Sequence, residues 1–158
     1  MSFLNRSNMR SLSALLVLSA LLALPVQAAS VWTQKDLGTV QGLRGVVSVD
    51  GRVTAVGNTG NIIASVDGGD TWSVADQSAS TYWQDIGERG SKIWAIGEGG
   101  TMRNSTDGGA TWMSTTLDVA EHLYDIDLYA SYGYLVGAGG RVMAYNTGAN
   151  LWQSLTSP

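Results

Sequence analysis

An all-β fold built from repeated four-stranded sheets is what this 158-residue sequence predicts. Three observations carry that expectation. Trp32, Trp72, Trp112 and Trp152 stand 40 residues apart, and the segments between them align without a gap. Glycines fill three columns of that alignment: Gly57, Gly97 and Gly137; Gly60, Gly100 and Gly140; Gly68, Gly108 and Gly148. Beyond residue 28 no stretch sustains a helical period. Four short strands per 40 residues is the spacing of a β-propeller blade, whereas a solenoid needs shorter repeats. The repeats run over about 32–72, 72–112 and 112–152. Closed propellers have about 4–8 blades, so three predict an incomplete or open propeller.

The first element is not part of that fold. Arg6 and Arg10 precede an apolar run, Leu12 to Leu24, which ends at Pro25-Val26-Gln27-Ala28. Basic, apolar and small residues in that order form a secretory signal, and the run is short for a membrane span of about 20 residues. Residues 1–28 are therefore expected to be removed, leaving 29–158 as the propeller segment. The mature protein is then expected to be periplasmic or secreted.

Composition narrows the partners. There are 9 Lys plus Arg against 13 Asp plus Glu, and Arg6 and Arg10 belong to the leader. An acidic mature chain is a poor match for nucleic acid or an anionic membrane surface, which select clustered positive charge. With no Cys, a disulfide scaffold, a thiolate metal site and a cysteine nucleophile are excluded.

Within each repeat the first strand is apolar, over 43–49 in the first, with Val46, Ile86 and Ile126 in one column and Leu43, Trp83 and Leu123 in another. The second strands, Arg52–Val56, Lys92–Ile96 and Tyr132–Val136, carry apolar or aromatic groups on both faces, as in a sheet sandwiched between two others. Gly-x-x-Gly turns then reverse the chain, since glycine tolerates the positive φ of tight turns. Third strands follow over 61–66, 101–106 and 141–146, and each tryptophan opens a fourth. An extra segment, Trp32 to Asp36, precedes the first repeat as a leading strand with no blade to complete. The outer faces of the first and third sheets are left uncovered, which predicts either a longer propeller gene or self-association.

The turn before the fourth strand carries the sharpest motif. It reads Ser65-Val66-Asp67-Gly68-Gly69-Asp70-Thr71-Trp72 and then Ser105-Thr106-Asp107-Gly108-Gly109-Ala110-Thr111-Trp112. Both fit Ser-x-Asp-x-Gly-x-Thr-Trp, the Asp-box (BNR) pattern. Asp67 and Asp107 can accept backbone N–H groups that have no ladder partner, and the hydroxyls of Ser65, Ser105, Thr71 and Thr111 can close the loop. Gly69 and Gly109 supply unusual dihedrals, while Trp72 and Trp112 bury surface between sheets. The third copy keeps Gly148 and Trp152 but has Thr147 in place of the carboxylate, so it is expected to be the weakest of the three.

The period, the leader and the stretches 57–72 and 97–112 resemble the Asp-box propellers of the photosystem II stability and assembly factor family. The likeness is strong over 43–116 and weaker over 117–152. It implies a non-catalytic, exported binding protein, in the thylakoid lumen if the host is photosynthetic, without cofactor or metal, that helps a protein client, a membrane-complex subunit, into its complex. Arg44, Arg52, Arg89 and Arg103 are the candidate patch for that client.

The competing reading is a carbohydrate-binding or sialidase-like, glycosidase-derived propeller fragment. Sialidases require clustered arginines and an Arg-Ile-Pro segment, but Arg44, Arg52, Arg89, Arg103 and Arg141 are dispersed and no Pro lies between Pro25 and Pro158. Glu88, Glu98 and Glu121 fall in different columns, so spacing does not indicate a paired-carboxylate site. Asp125 and Asp127 alternate on one strand and are the best local pair; a solvated strand face explains them more simply. His122, the sole histidine, lacks a Gly-x-Ser-x-Gly elbow and reads as packing. The glycine-rich turns lack a following Gly-Lys-Ser/Thr and are hairpins rather than phosphate loops. An exposed aromatic strip would favour a sugar, and a patch of the named arginines a protein. N-terminal sequencing of the exported product is expected to begin at Ala29 or Ser30; an intact leader in the membrane fraction would contradict removal.

Overall fold

The structure is a computed structural model that describes Gln34, Leu37 and residues 42–77 and 81–155. The leader, its cleavage point and the leading segment 32–36 apart from the exposed Gln34 lie outside the described residues. The architecture is all-β: three four-stranded antiparallel sheets that form part of a β-propeller. The first contains β1 (Leu43–Val49), β2 (Arg52–Gly57), β3 (Asn61–Ser65) and β4 (Ser73–Gln77). The second contains β5 (Trp83–Arg89), β6 (Lys92–Gly97), β7 (Met102–Ser105) and β8 (Met113–Thr115). The third contains β9 (Leu123–Tyr129), β10 (Tyr132–Gly137), β11 (Arg141–Asn146) and β12 (Leu151–Ser154). Each sheet is a meander in chain order, which short turns permit between antiparallel neighbours. Trp72 and Trp112 lie just before the fourth strand, and Trp152 lies within it.

A repeated irregularity starts each first strand. The ladder skips Arg44, Gln84 and Tyr124, one bulged residue per repeat at the same offset. A bulge sharpens the local twist of an inner strand. The bulged side chains meet across the first two sheets, where Arg44 donates to Gln84 Oε1 at 2.9 Å and to Asn58 Oδ1 at 2.8 Å.

The Gly-x-x-Gly turns use glycine for two different reasons. Gly60, Gly100 and Gly140 have φ of 74°, 69° and 72°, the left-handed region expected of a tight turn. Gly97 and Gly137 are extended, with φ of −163° and −156°. Here the constraint is close approach: a Cβ on Gly57, Gly97 or Gly137 would lie 2.2–2.5 Å from the carbonyl oxygen of Gly42, Tyr82 or His122. Those same carbonyls accept the N–H groups of Asn58, Glu98 and Ala138 at 2.8–3.2 Å, tying each incoming connector to its own turn.

Two cores lie between successive sheets. One joins Val49, Val56 and Ile62 of the first sheet to Trp83, Ile86, Ile93 and Ala95 of the second. The other joins Trp94, Ile96 and Met102 of the second to Leu123, Ile126, Leu135, Met143, Tyr145 and Trp152 of the third. The central sheet is therefore covered on both faces, and Ile93 to Gly97 are buried without interruption. In β10 burial alternates, with Gly133 and Leu135 buried and Tyr132, Tyr134 and Val136 exposed. Full burial of an aliphatic side chain such as Ile96 or Leu135 contributes about 1.5–3 kcal/mol. Trp83, fully buried, also donates its indole N–H to Gly60 O at 3.0 Å, so one residue fills the seam and satisfies the neighbouring turn.

A carboxylate crosses the second seam. Asp85 Oδ2 accepts the Ile126 N–H at 3.0 Å. Burial pushes the Asp85 carboxyl up from its ordinary value, and the neighbouring Asp125 carboxylate adds to the rise. The native protein thus holds this proton more tightly than the unfolded chain, so ionisation above about pH 3.8 costs stability. Asp85→Asn keeps an oxygen acceptor and removes the charge. It is expected to raise the melting temperature by a few degrees at pH 7, with the gain vanishing near pH 3; Asp85→Ala, which removes the acceptor, is expected not to share that gain.

Candidate functional site

Chemistry-bearing side chains sort to the two ends of the sheets and to the seams between them. The tight hairpins joining first to second strands share one end with the Ser-x-Asp turns, because Ser91 O accepts Gly108 N–H at 2.8 Å. The Gly-x-x-Gly turns and incoming connectors share the other.

In the first Ser-x-Asp turn, Ser65 Oγ donates to Asp67 Oδ1 at 2.7 Å and accepts Gly69 N–H at 2.8 Å. Asp67 accepts the Thr71 N–H at 2.9 Å and the Thr71 hydroxyl at 2.6 Å. The second turn repeats this set: Ser105 to Asp107 at 2.7 Å, Gly109 N–H to Ser105 at 2.8 Å, and Thr111 N–H and hydroxyl to Asp107 at 2.9 and 2.6 Å. Gly69 and Gly109 have φ of 95° and 86°. Trp72 and Trp112 donate their indole N–H groups to Gly69 O at 3.1 Å and Gly109 O at 3.2 Å. Both tryptophans are half-buried, and Trp112 packs against the first seam. Hydrogen bonds from Thr and Ser hold the Asp67 and Asp107 carboxyls well below the usual carboxylate range.

The third turn is built differently. Asn146 Oδ1 accepts the Ala149 N–H at 3.0 Å, and the left-handed residue is Asn150, φ 54°. Asn150 Oδ1 in turn takes the Tyr145 hydroxyl and, at 2.7 Å, Lys92 Nζ of the second sheet. An asparagine amide one residue before the Thr147 column thus caps this turn, in place of the carboxylate of the other two. The cost falls on Trp152, whose buried indole N–H has no partner.

The four candidate arginines are divided. Arg44 is exposed at the connector end, held by Asn58 and Gln84. Arg52 begins β2 at the opposite end, with Gly109 packed beside its stem. Arg89 ends β5 at that same end, its guanidinium 4.8 Å from the centre of the Tyr145 ring across the second seam. Arg103 lies in the first seam, paired with Asp76 at 3.3 Å and donating to Ser114 Oγ at 2.9 Å. The fold therefore brings Arg52 and Arg89 to one end and places Arg44 and Arg103 elsewhere. His122 Nδ1 accepts the Gly99 N–H at 3.2 Å, a packing contact between adjacent sheets. Asp125 sits beside Asp85, whereas Asp127 lines a separate hollow of about 290 Å³ with Tyr129, Tyr132 and Tyr134. A second hollow of about 170 Å³ runs along the second seam, where Lys92, Asn150, Trp94 and Trp152 line it. Among the described residues no cluster of His, Asp and Glu has metal-binding geometry, and no helix is long and apolar enough to cross a membrane.

Sequence reasoning did not find the role of Asp85. Its only signal is that the column Gly45, Asp85, Asp125 changes from glycine to carboxylate at the second repeat.

These three sheets define the class: a partial β-propeller. No protein-family model and no curated protein matches the chain. Solved structures share its fold. YCF48 from Cyanidioschyzon merolae is similar with a TM-score of 0.67 and 23% identity, over 82% of this chain and 41% of that one. YCF48 bound to D1 peptide is similar with a TM-score of 0.66 and 21% identity, over 75% and 42%. A GH74 enzyme of Niastella koreensis follows, with a TM-score of 0.58 and 20% identity, over 72% and 21%. The fold is thus that of a YCF48-like propeller, and this chain spans about two fifths of the YCF48 chains it matches.

Asp67→Ala and Asp107→Ala are each expected to lower the melting temperature by several degrees, because backbone and hydroxyl donors lose their acceptor. Asp70→Ala is expected to change it little, since Ala110 occupies that column. The depressed carboxyls contribute stability that is fully present above about pH 3.8 and is lost as pH falls below it. Acid melts of the wild type and of the Asp67→Asn/Asp107→Asn double variant check the sign: the variant's stability is expected to depend less on pH below 3.8.

Proposed function

We propose that this chain is an exported, non-catalytic β-propeller scaffold of the Asp-box type. It takes hold of a segment of a protein client and helps a membrane-complex subunit into place. The observation that carries this reading is the fold shared with a YCF48 chain that was solved with a D1 peptide bound. Within this chain, the two carboxylate-locked turns and the tied connectors give rigid ends, and rigid ends suit recognition because little is lost in ordering them. Arg44, exposed at the connector end, is the arginine best placed to meet a client there. The photosynthetic role follows only in a photosynthetic host, and the exported location follows from the leader.

A carbohydrate-binding reading has its own support in the fold shared with the GH74 enzyme. One experiment separates the two. A photo-crosslinking residue at Arg44 in the living host is expected to form an adduct with a newly made membrane subunit, and the adduct is expected to disappear when translation is blocked. No adduct, together with saturable retention of the protein on a glycan array, would replace the scaffold reading with the carbohydrate one.

A further inference from the structure

The second seam holds positive charge that nothing in it neutralises. Arg89 and Lys92 lie directly opposite each other on β5 and β6, across the hairpin of Gly90 and Ser91. Both side chains reach the third sheet: the Arg89 guanidinium is 4.8 Å from the centre of the Tyr145 ring, and Lys92 Nζ donates to Asn150 Oδ1 at 2.7 Å. Like charges placed opposite each other on neighbouring strands destabilise a sheet. Among the described residues neither cation is paired with a carboxylate, whereas Arg103 in the first seam meets Asp76.

Two N–H donors of the same seam are buried without an acceptor, Arg89 Nη1 and Trp152 Nε1. Trp152 is only 8% exposed. The corresponding indoles of the first two blades donate to Gly69 O and Gly109 O, but the differently built third turn leaves Trp152 without a carbonyl. Buried donors of this kind are rare in native proteins and call for an acceptor from outside the chain.

Lys92 and Trp152 line the hollow of about 170 Å³ between the second and third sheets, and so does Tyr145, on which Arg89 is stacked. Trp94 and Leu117 give it an apolar wall, and no Asp or Glu is among the described residues that line it. Both walls belong to this chain, so the hollow exists whatever lies against the outer faces of the first and third sheets. Water in the hollow would satisfy the indole and leave the two cations facing each other; an anion answers both. A cavity of about 150 Å³ accommodates a benzene ring, so there is room for an acid with an apolar body. We propose that this hollow binds a small organic carboxylate. Its oxygens take Lys92 Nζ and the Trp152 indole N–H, its body lies against Trp94 and Leu117, and Arg89 adds positive charge from behind Tyr145. The site lies in the seam, apart from Arg44 at the connector end, and is independent of the client reading.

The full chain, isotope-labelled at its tryptophan indole nitrogens, is titrated with benzoate, with benzamide, which keeps the ring and loses the charge, and with inorganic phosphate. The signal of Trp152 is identified by its loss in Trp152→Phe. Benzoate is expected to shift that N–H downfield and to saturate, while the indoles of Trp72 and Trp112, already bonded within their turns, stay in place. Binding is expected to be at least about tenfold weaker for benzamide, and for benzoate to Lys92→Gln, as loss of a charge-assisted bond demands. The contrast between benzoate and benzamide is read on the wild type and needs no variant to fold. Equal binding of the two, no saturable shift at Trp152, or undiminished benzoate binding by folded Lys92→Gln would overturn the proposal. So would phosphate that moves the same signal as tightly as benzoate does, which would mark the hollow as a place for an adventitious ion only.

Discussion

Everything in this molecule hangs on sheets stacking face to face. A single four-stranded sheet of this length has two faces and too little else to cover them, so each blade is stable only against its neighbours. The central sheet shows the finished condition: β6 is buried along five consecutive residues because apolar groups meet it from both sides. Glycine at Gly87 lets Ile126 and Leu128 approach, and Gly45 does the same for Ile86 across the first seam. Asp85 then spans the second seam to a backbone N–H of the third sheet, accepting the penalty of a half-buried carboxylate in exchange for a satisfied donor.

The ends of the sheets are stiffened by a different device. In the first two Ser-x-Asp turns one carboxylate collects a backbone N–H and two hydroxyls, and the tryptophan that follows donates back to the turn. The unit is local, spanning eight residues, and it needs no support from another sheet to satisfy its donors. The third turn reaches a related shape with an amide in place of the carboxylate, and it recruits Lys92 from the second sheet to do so. A local device has been exchanged for a tertiary one.

The frame divides its charged side chains between seams and ends. The seams consume Arg89 and Arg103, whose charges are engaged by Tyr145 and Asp76. Arg44 is left at the connector end.

Repetition made the fold legible. The fixed offset of Trp, Gly and apolar columns specified how many strands there are and where each turns, since backbone reversal depends on residues close in sequence. The eight-residue turns were legible for the same reason, down to the acceptor and its donors. The two uses of glycine were not, because Gly57, Gly97 and Gly137 are required by a carbonyl brought in from the preceding connector, a contact invisible to local turn rules. The arginines were legible as dispersed charges, but their division between ends and seams depends on which face of which strand each occupies in the stack. Asp85 and Asp127 share a residue type and differ in fate: one meets a neighbouring sheet and the other meets solvent. Sequence by itself determined the blade, its turns and their internal hydrogen bonds, because those interactions close within a few residues. Tertiary structure alone decided which polar groups lie in seams and which face outward, because that depends on the surface each sheet finds opposite it.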